Sequence, residues 1–183
     1  MPAVISMLRG VNLGPHRRIK MDALRDLYIS LGLEDPRTYL QSGNVVFKTD
    51  EPDLISLVKR IESGIERRFG FSSDVIVRTS SEMRDAITRN PFSVPRDIDP
   101  SRLLVTFLAA DPGQEARDKV LSIKTDPEEL HIHGREVYIY FPNGMARPKI
   151  SWVMIEKLLK VSGTGRNWNS VTKLLELAEK LES

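Results

Sequence analysis

Residues 129–140, ELHIHGREVYIY, alternate apolar and polar side chains on both sides of Gly134-Arg135. The alternation predicts two antiparallel strands joined by a two-residue turn. With that turn, Ile132 lies opposite Val137 and Leu130 lies opposite Ile139 on the buried face. The other face then carries Glu129, His131, His133, Glu136, Tyr138 and Tyr140. The stretch therefore predicts a hairpin with one apolar face and one polar, partly aromatic face.

Elements on either side of this hairpin extend it toward a ferredoxin-like subdomain over residues 101–183. A strand over residues 102–109 and a helix ending near residue 123 precede the hairpin. The helix that follows it is marked by Trp152, Ile155 and Leu159. No fourth strand is visible, and a C-terminal helix is marked instead by Trp168, Val171, Leu175 and Ala178. This second subdomain is therefore predicted to be incomplete and to end in an extra helix.

Residues 1–90 contain elements in the order βαββαβ, which is typical of the ferredoxin-like unit. Strands are predicted over residues 3–9, 37–41, 44–48 and 74–78, and helices over residues 21–31 and 54–69. Ser42-Gly43 is predicted to be the turn between the second and third strands. A third helix is predicted to begin at a capping box of Thr79 and Glu82.

The boundary between the two halves is predicted from proline content. Pro91, Pro95 and Pro100 fall within residues 91–100, and such a stretch does not form a regular helix or strand. We therefore predict a linker over 91–100 between subdomains 1–90 and 101–183. The fold class is α+β, with two ferredoxin-like subdomains.

The composition is that of a globular protein without cysteine chemistry. The chain has 183 residues, of which 40% are hydrophobic, 28% are charged and none is Cys. This excludes disulfides, thiolate metal sites and a cysteine nucleophile, and a cytoplasmic location is expected. The N-terminal apolar run is too short for a signal peptide or a membrane span, so no membrane partner is expected.

Positive charge is concentrated in two segments, although the net charge is only +2. Residues 1–21 contain four Lys or Arg and no carboxylate, and residues 137–175 contain six Lys or Arg and one acid, Glu156. Segregated charge of this kind favours an anionic partner, either a small molecule or a nucleic acid. We expect the two basic segments to converge on one pocket.

Two Gly- and Asn-rich stretches lie within these basic segments, at residues 9–14 and 163–169. Exposed N–H groups and side-chain donors beside positive charge suit an anion. The predicted ligand-binding residues are Arg9, Asn12, Lys20, Arg147, Lys149, Thr164, Arg166 and Asn167. The alternative for the second stretch is an interhelical turn, with Asn167 or Asn169 capping the last helix and Trp168 anchoring it.

Three other motifs have structural explanations. Ser42 lacks the G-x-S-x-G flanks of a nucleophile elbow and fits a hairpin turn. His131 and His133 share a strand face but lack a third ligand, so no metal or other cofactor is expected. The tyrosines of the sheet faces fit either stacking on RNA bases or packing of one subdomain on the other.

Several of these motifs, in this order, resemble the bacterial domain of unknown function 1697 family. They are LRGVNLG followed by IKM, TYLQSGNVVF, NPF at residues 90–92 and GTGRNWNSVTKLLELA. The resemblance implies two ferredoxin-like α+β subdomains, in agreement with the pattern of strands and helices. It implies no activity.

The function hypothesis from the sequence is a module that binds a nucleotide, a nucleic acid or a phosphorylated metabolite through the two basic segments. One alternative is an enzyme that acts on a phosphorylated or nucleotide substrate, with Lys or Arg stabilising charge. Another is a protein-interaction module that docks an acidic partner. No catalytic residue and no protein partner can be named from residue spacing.

Overall fold

The structure is a computed structural model that describes residues 1–92 and 97–183. Contacts within the chain group Met1–Arg84 and Lys173–Ser183 into one compact unit and Asp85–Thr172 into a second. Residues 93–96 of the predicted linker lie outside the described residues. The predicted linker and subdomain limits therefore stay predictions.

The first unit contains the predicted βαββαβ order. Its elements are β1 (Ala3–Leu8), α1 (Met21–Ser30), β2 (Glu34–Tyr39), β3 (Asn44–Lys48), α2 (Leu54–Phe69) and β4 (Val75–Thr79). The strands form an antiparallel sheet in the order β2-β3-β1-β4. This is the ferredoxin-like topology that the sequence predicts.

One face of this sheet forms the core of the first unit. Val4 and Leu8 of β1 and Phe47 of β3 are buried there with Leu24 of α1 and Ile61 of α2. The other face of the same strands carries Ile5, Met7, Val46, Ile76 and Arg78, all of them buried. The apolar runs of β1 and β3 are continuous rather than alternating because both faces of these strands are removed from water.

The β2–β3 loop is longer than predicted. Tyr39 and Asn44 form the last strand pair, so residues 40–43, and not Ser42-Gly43 alone, make the connection. Gly43 has φ +87°, and a Cβ atom there would lie 2.9 Å from the Leu8 Cβ atom. The loop therefore packs on the end of β1 at a position that only glycine fits.

Helix α3 (Ser80–Thr88) follows β4 without a loop. The Thr79 Oγ1 atom accepts the Glu82 N–H at 3.1 Å, and Glu82 Oε1 accepts the Thr79 N–H at 2.9 Å. These reciprocal hydrogen bonds confirm the predicted capping box.

The second unit repeats this topology. A 3-10 turn (Pro100–Arg102) leads into β5 (Leu103–Leu108), α4 (Gln114–Leu121), β6 (Glu129–His133), β7 (Glu136–Tyr140), α5 (Trp152–Leu159) and β8 (Gly163–Asn167). The antiparallel sheet has the order β6-β7-β5-β8. Ile132 pairs with Val137 and Leu130 with Ile139, which confirms the predicted hairpin register. Buried core residues on this face include Leu108, Ile139, Ile155 and Leu159.

The presence of β8 corrects the prediction that the second subdomain is incomplete. Gly163 and Gly165 do not form a turn; they pair with Leu108 and Thr106 of β5 in extended conformation. A Cβ atom on Gly163 would lie 3.0 Å from side-chain atoms of Leu108 and Thr106. Glycine therefore lets this strand approach the large side chains of β5, and the fourth strand completes the βαββαβ unit.

Helix α6 (Trp168–Glu182) confirms the predicted C-terminal helix. It begins in the second unit and continues into the first, because residues from Lys173 onward group with Met1–Arg84. No helix in the described part of the chain is both long enough and apolar enough to cross a lipid bilayer.

Candidate functional site

The loop after β1 is held in place by Asn12. Its Nδ2 atom donates to the carbonyl oxygens of Ile19 (3.0 Å) and Gln41 (2.7 Å), and its Oδ1 atom accepts the Ile19 N–H at 2.9 Å. Asn12 has φ +57°, a conformation that asparagine tolerates better than most residues. Its side chain therefore closes the loop over residues 12–19 and joins it to the β2–β3 loop.

Arg17 fixes the same loop from its other side. The Nε atom donates to the Gly10 carbonyl at 3.0 Å, and Nη2 donates to the Ser72 carbonyl at 2.5 Å. The guanidinium carbon lies 4.9 Å from the centre of the Phe71 ring, within the range of a cation–π contact. Arg17 therefore stabilises the loop through carbonyl groups and an aromatic ring.

The remaining cations of this loop are directed to solvent. Arg18 and Lys20 are exposed, and Arg18 makes one long hydrogen bond of 3.3 Å to the Gly14 carbonyl. Arg9 is partly exposed and lies 3.9 Å from the Asp74 carboxylate. Lys20 is the N-cap of α1 and provides no side-chain hydrogen bond to its first turn. The loop thus combines a fixed backbone with basic side chains next to a helix N-terminus.

The predicted residues of β8 are less accessible than those of the first loop. Thr164 and Arg166 are 6% and 7% exposed, and Arg166 Nη1 donates to the Thr164 hydroxyl at 2.8 Å and to the Gly165 carbonyl at 2.9 Å. Burial lowers the pKa of the Arg166 guanidinium to about 10. The side chain therefore still carries its positive charge at neutral pH, in a position shielded from water.

Asn167 has the structural role that the alternative interpretation assigns to it. Its Oδ1 atom accepts the Ser170 N–H at 2.9 Å, which caps the first turn of α6. Trp168, the first residue of α6, is half-buried.

Arg147 and Lys149 lie on the segment between β7 and α5, and both side chains are exposed. The buried Glu128 carboxylate holds this segment, because its Oε1 atom accepts the backbone N–H groups of Lys149 and Ile150. The neighbouring Pro148 and Ile150 line the helix-covered side of the second sheet. Arg166 points to the opposite side, with Val105 and Tyr138. The structure therefore separates Arg147 and Lys149 from Arg166 within the second unit.

The structure also explains the motifs that were assigned structural roles. Asn44 Nδ2 donates to the Ser42 hydroxyl at 2.9 Å, which places that serine within the β2–β3 loop. The ring of His131 contacts Phe92, and the ring of His133 contacts Tyr138. Within residues 1–92 and 97–183, no group of three His, Cys, Asp or Glu side chains is placed to share a metal ion.

The structure also contains a basic cleft on α2 that the sequence motifs do not predict. It has a volume of about 280 Å³ and is lined by Leu31, Ser56, Lys59, Arg60, Ser63 and Arg67. Arg60 donates to the Leu31 carbonyl at 2.6 Å, and Lys59, Arg60 and Arg67 are all exposed on the helix surface. The spacing of Lys59, Ser63 and Arg67 by four residues is the signal that could have indicated it, since such residues share a helix face.

Comparison with known proteins gives a family and a fold. No curated protein sequence matches the chain. The solved structure of the conserved bacterial protein SP0830 from Streptococcus pneumoniae is similar, with a TM-score of 0.71 and 22% identity over 97% of this chain and 98% of that one. At this identity the similarity shows a shared fold. The family model described as "Protein of unknown function (DUF1697)" matches residues 1–138. The chain therefore belongs to the DUF1697 family.

Proposed function

We propose that the protein binds an anionic ligand, such as a nucleotide, a nucleic acid or a phosphorylated metabolite, through its basic loops. The first loop comprises residues 9–20, and the second basic segment, residues 147–169, comprises the end of the β7–α5 loop, α5, β8 and the start of α6. The proposal refers to the chemistry of the ligand and to the loops that contact it, and it includes no catalytic step.

The observation that carries the proposal is the fixed backbone of the first loop. Asn12 and Arg17 donate from their side chains to carbonyl oxygens of the protein, and the side chains of Arg17, Arg18 and Lys20 are all exposed. A loop that is already ordered loses little conformational entropy when it binds a ligand. Arg18 uses one donor, Nη1, on the Gly14 carbonyl at 3.3 Å, so the loop is held mainly by Asn12 and Arg17.

The start of α1 strengthens this argument. The N–H groups of a first helical turn carry partial positive charge and have no partner within the helix. Lys20 adds a full charge there and does not use its side chain to cap the turn. Asp22 in the first turn is the opposing charge. A phosphate group that bridges Lys20 and Arg18 would add two charge-assisted hydrogen bonds.

Equilibrium binding at two salt concentrations tests the proposal. Calorimetric titrations would use inorganic pyrophosphate, ATP and a short single-stranded oligonucleotide. Phosphate contacts release counterions, so affinity should fall at least several-fold between about 50 mM and about 200 mM salt. If none of the probes binds in a salt-dependent way, the proposal is wrong.

Paired variants locate the binding site without changing the total charge removed. The double variant Arg18→Ala/Lys20→Ala should weaken binding about tenfold or more, the loss expected for charge-assisted phosphate contacts. Lys59→Ala/Arg67→Ala removes two exposed charges from the α2 cleft and should leave the affinity within about twofold of wild type. The opposite pattern would assign anion binding to the α2 cleft and would contradict the role of the first loop.

A further double variant, Arg147→Ala/Lys149→Ala, tests whether the second basic segment contributes to anion binding. Both side chains are exposed, and Lys149 contacts Glu128 through its backbone N–H rather than its side chain. The substitution should therefore preserve the fold. A loss of affinity comparable with that of Arg18→Ala/Lys20→Ala would support a contribution of both loops, and wild-type affinity would exclude residues 147–149 from the site.

A further inference from the structure

The second unit contains a cavity of about 240 Å³ on the helix-covered side of its sheet. Leu104 of β5 and Ile139 of β7 form its floor, and Phe141 and Trp152 contribute aromatic walls. No charged side chain lines it among the described residues. Apolar cavities of about 150 Å³ bind molecules the size of benzene, so this volume accommodates one substituted ring.

Thr106 is the polar side chain of the cavity lining. It is 3% exposed. Within residues 1–92 and 97–183, its hydroxyl takes part in no hydrogen bond, and it is not a fully buried unsatisfied atom. The hydroxyl is therefore available to a hydrogen-bonding group of a ligand in the cavity.

Gly165 keeps the space beside Leu104 open. A Cβ atom on Gly165 would lie 3.2 Å from the two terminal carbon atoms of the Leu104 side chain. Gly165 is extended, so its backbone conformation does not demand glycine. Glycine at this position therefore leaves room on the cavity side of β8 that a larger side chain would fill.

Hydrogen bonds to Glu128 hold another part of the cavity lining. Pro148 and Ile150 line the cavity, and the buried Glu128 carboxylate accepts the N–H groups of Lys149 and Ile150. This contact anchors the segment before α5 against the sheet. A preformed wall reduces the entropy lost on binding.

We propose that this cavity binds a small neutral molecule with one aromatic ring and one hydroxyl or similar hydrogen-bonding group, which contacts Thr106. We expect a neutral ligand because the lining is uncharged, and an ion would lose its hydration there without a compensating charge. We expect one aromatic ring in the ligand because of the volume of the cavity and its apolar and aromatic walls. Pro148, Ile150, Trp152 and Gly165 of the cavity lining lie within residues 147–169, but none of the charged side chains proposed for anion binding lines the cavity. The two proposals can therefore fail separately, because one depends on charged side chains and the other on an uncharged lining.

The test uses phenol, toluene and benzoate as probes of the hydroxyl, the ring and the charge. The chain contains two Trp, so the Trp168→Phe variant identifies the Trp152 indole N–H signal in a proton–nitrogen correlation spectrum. Phenol should shift this signal in a saturable way and bind about tenfold or more tightly than benzoate. No saturable shift up to the solubility of phenol and toluene, or benzoate binding as tightly as phenol, would overturn the proposal.

Two substitutions test the contacts themselves. Thr106→Val should weaken phenol binding about fivefold to tenfold and leave toluene binding unchanged, because it removes one hydrogen bond. Gly165→Ala should weaken the binding of both probes. Gly14→Ala is the control, since it adds the same methyl group outside the cavity lining and meets no atom within 4 Å. Equal loss in both glycine variants, or equal loss of phenol and toluene in Thr106→Val, would contradict the assignment.

Discussion

Arg78 in β4 and Arg166 in β8 occupy the same position in their respective sheets. Arg78 pairs with Ile5 of β1, and Arg166 pairs with Val105 of β5. Each guanidinium donates through Nη1 to the carbonyl of the preceding residue, at 2.9 Å in both cases. Both side chains are buried, on the sheet face opposite the core that the helices of their own unit cover.

The residues after the two arginines match as well. Thr79 and Asn167 each accept the backbone N–H of the residue three positions later, and each cap opens a helix that follows the strand without a loop. The two halves of the chain therefore share the order βαββαβα, with an arginine and then a capping residue at the last strand–helix junction. This structural similarity includes positions at which the two sequences have only Arg in common.

We predict that both arginines are important for stability. Arg78→Ala and Arg166→Ala should each lower the free energy of unfolding by about 2–4 kcal/mol, because they leave a cavity and buried carbonyls without their donor. Arg166→Met, which fills most of the volume of the arginine side chain, should lower the free energy of unfolding less than Arg166→Ala. Urea unfolding followed by circular dichroism measures these changes. Arg25→Ala, in an exposed position of α1, is the control, and an equally small effect at Arg78 would contradict the prediction.

A second prediction concerns the glycines of β8. Gly163→Ala places a methyl group 3.0 Å from Leu108 and Thr106 side-chain atoms and 3.1 Å from the Phe107 carbonyl oxygen. The backbone oxygen cannot move away without disturbing β5, so we expect a loss of about 1–3 kcal/mol in unfolding free energy. Gly14→Ala meets no atom within 4 Å and should change stability by less than about 0.5 kcal/mol. Equal stability of the two variants would show that β8 can shift away from β5.

The hairpin at residues 129–140 could be predicted in register from sequence, whereas β8 could not. Alternation fixes which side chains are buried, and a slip by one residue would expose Ile132 and Ile139 together. In β8, Gly163, Gly165 and Asn167 have turn propensity, and the strand is stabilised by pairing with β5 and by the close approach that glycine permits. The propensities of residues 163–167 depend on the local sequence alone, so they do not indicate that this segment pairs with β5.

The roles of the residues in the candidate site were also only partly predictable from the sequence. A Gly- and Asn-rich loop beside a strand is compatible with ligand binding and with loop closure, and the sequence does not distinguish them. The contacts of Asn12 with Gln41 and of Arg17 with Ser72 join residues far apart in the chain. They assign both side chains to loop closure, and Arg17 remains exposed together with Arg18 and Lys20. The predicted convergence of the two basic segments stays a prediction.

A third prediction separates capping from ligand binding at Asn167. Asn167→Ala should lower the free energy of unfolding by about 0.5–2 kcal/mol, because it removes the acceptor for the Ser170 N–H. Thr79→Ala should cost a similar amount at the start of α3. Neither substitution should change the affinity for pyrophosphate by more than about twofold. A variant at Asn167 with full stability and reduced pyrophosphate affinity would instead identify Asn167 as a ligand contact.

A fourth prediction concerns alkaline pH and the buried Tyr28. Burial raises the pKa of its phenol well above the ordinary value of 10.0, and the hydrogen bond with Ser6, at 2.8 Å, opposes this shift in part. As pH rises above about 10, the unfolded chain releases the phenol proton and the folded chain retains it. The stability that Tyr28 contributes is therefore complete below pH 10 and is lost progressively above it, at about 1.4 kcal/mol per pH unit.

The substitution Tyr28→Phe should remove this alkaline loss of stability, because phenylalanine has no phenol proton to release. At neutral pH the variant should be less stable by about 1 kcal/mol, since it loses the hydrogen bond with Ser6. Between about pH 10 and pH 11 its unfolding free energy should fall less steeply than that of wild type, by about 1 kcal/mol over that interval. Ser6→Ala is the control, because it loses the same hydrogen bond and keeps the buried phenol. Parallel alkaline slopes for wild type and Tyr28→Phe in urea unfolding would show that Tyr28 ionises in the folded protein, and its burial beside Phe47 would then not protect it from base.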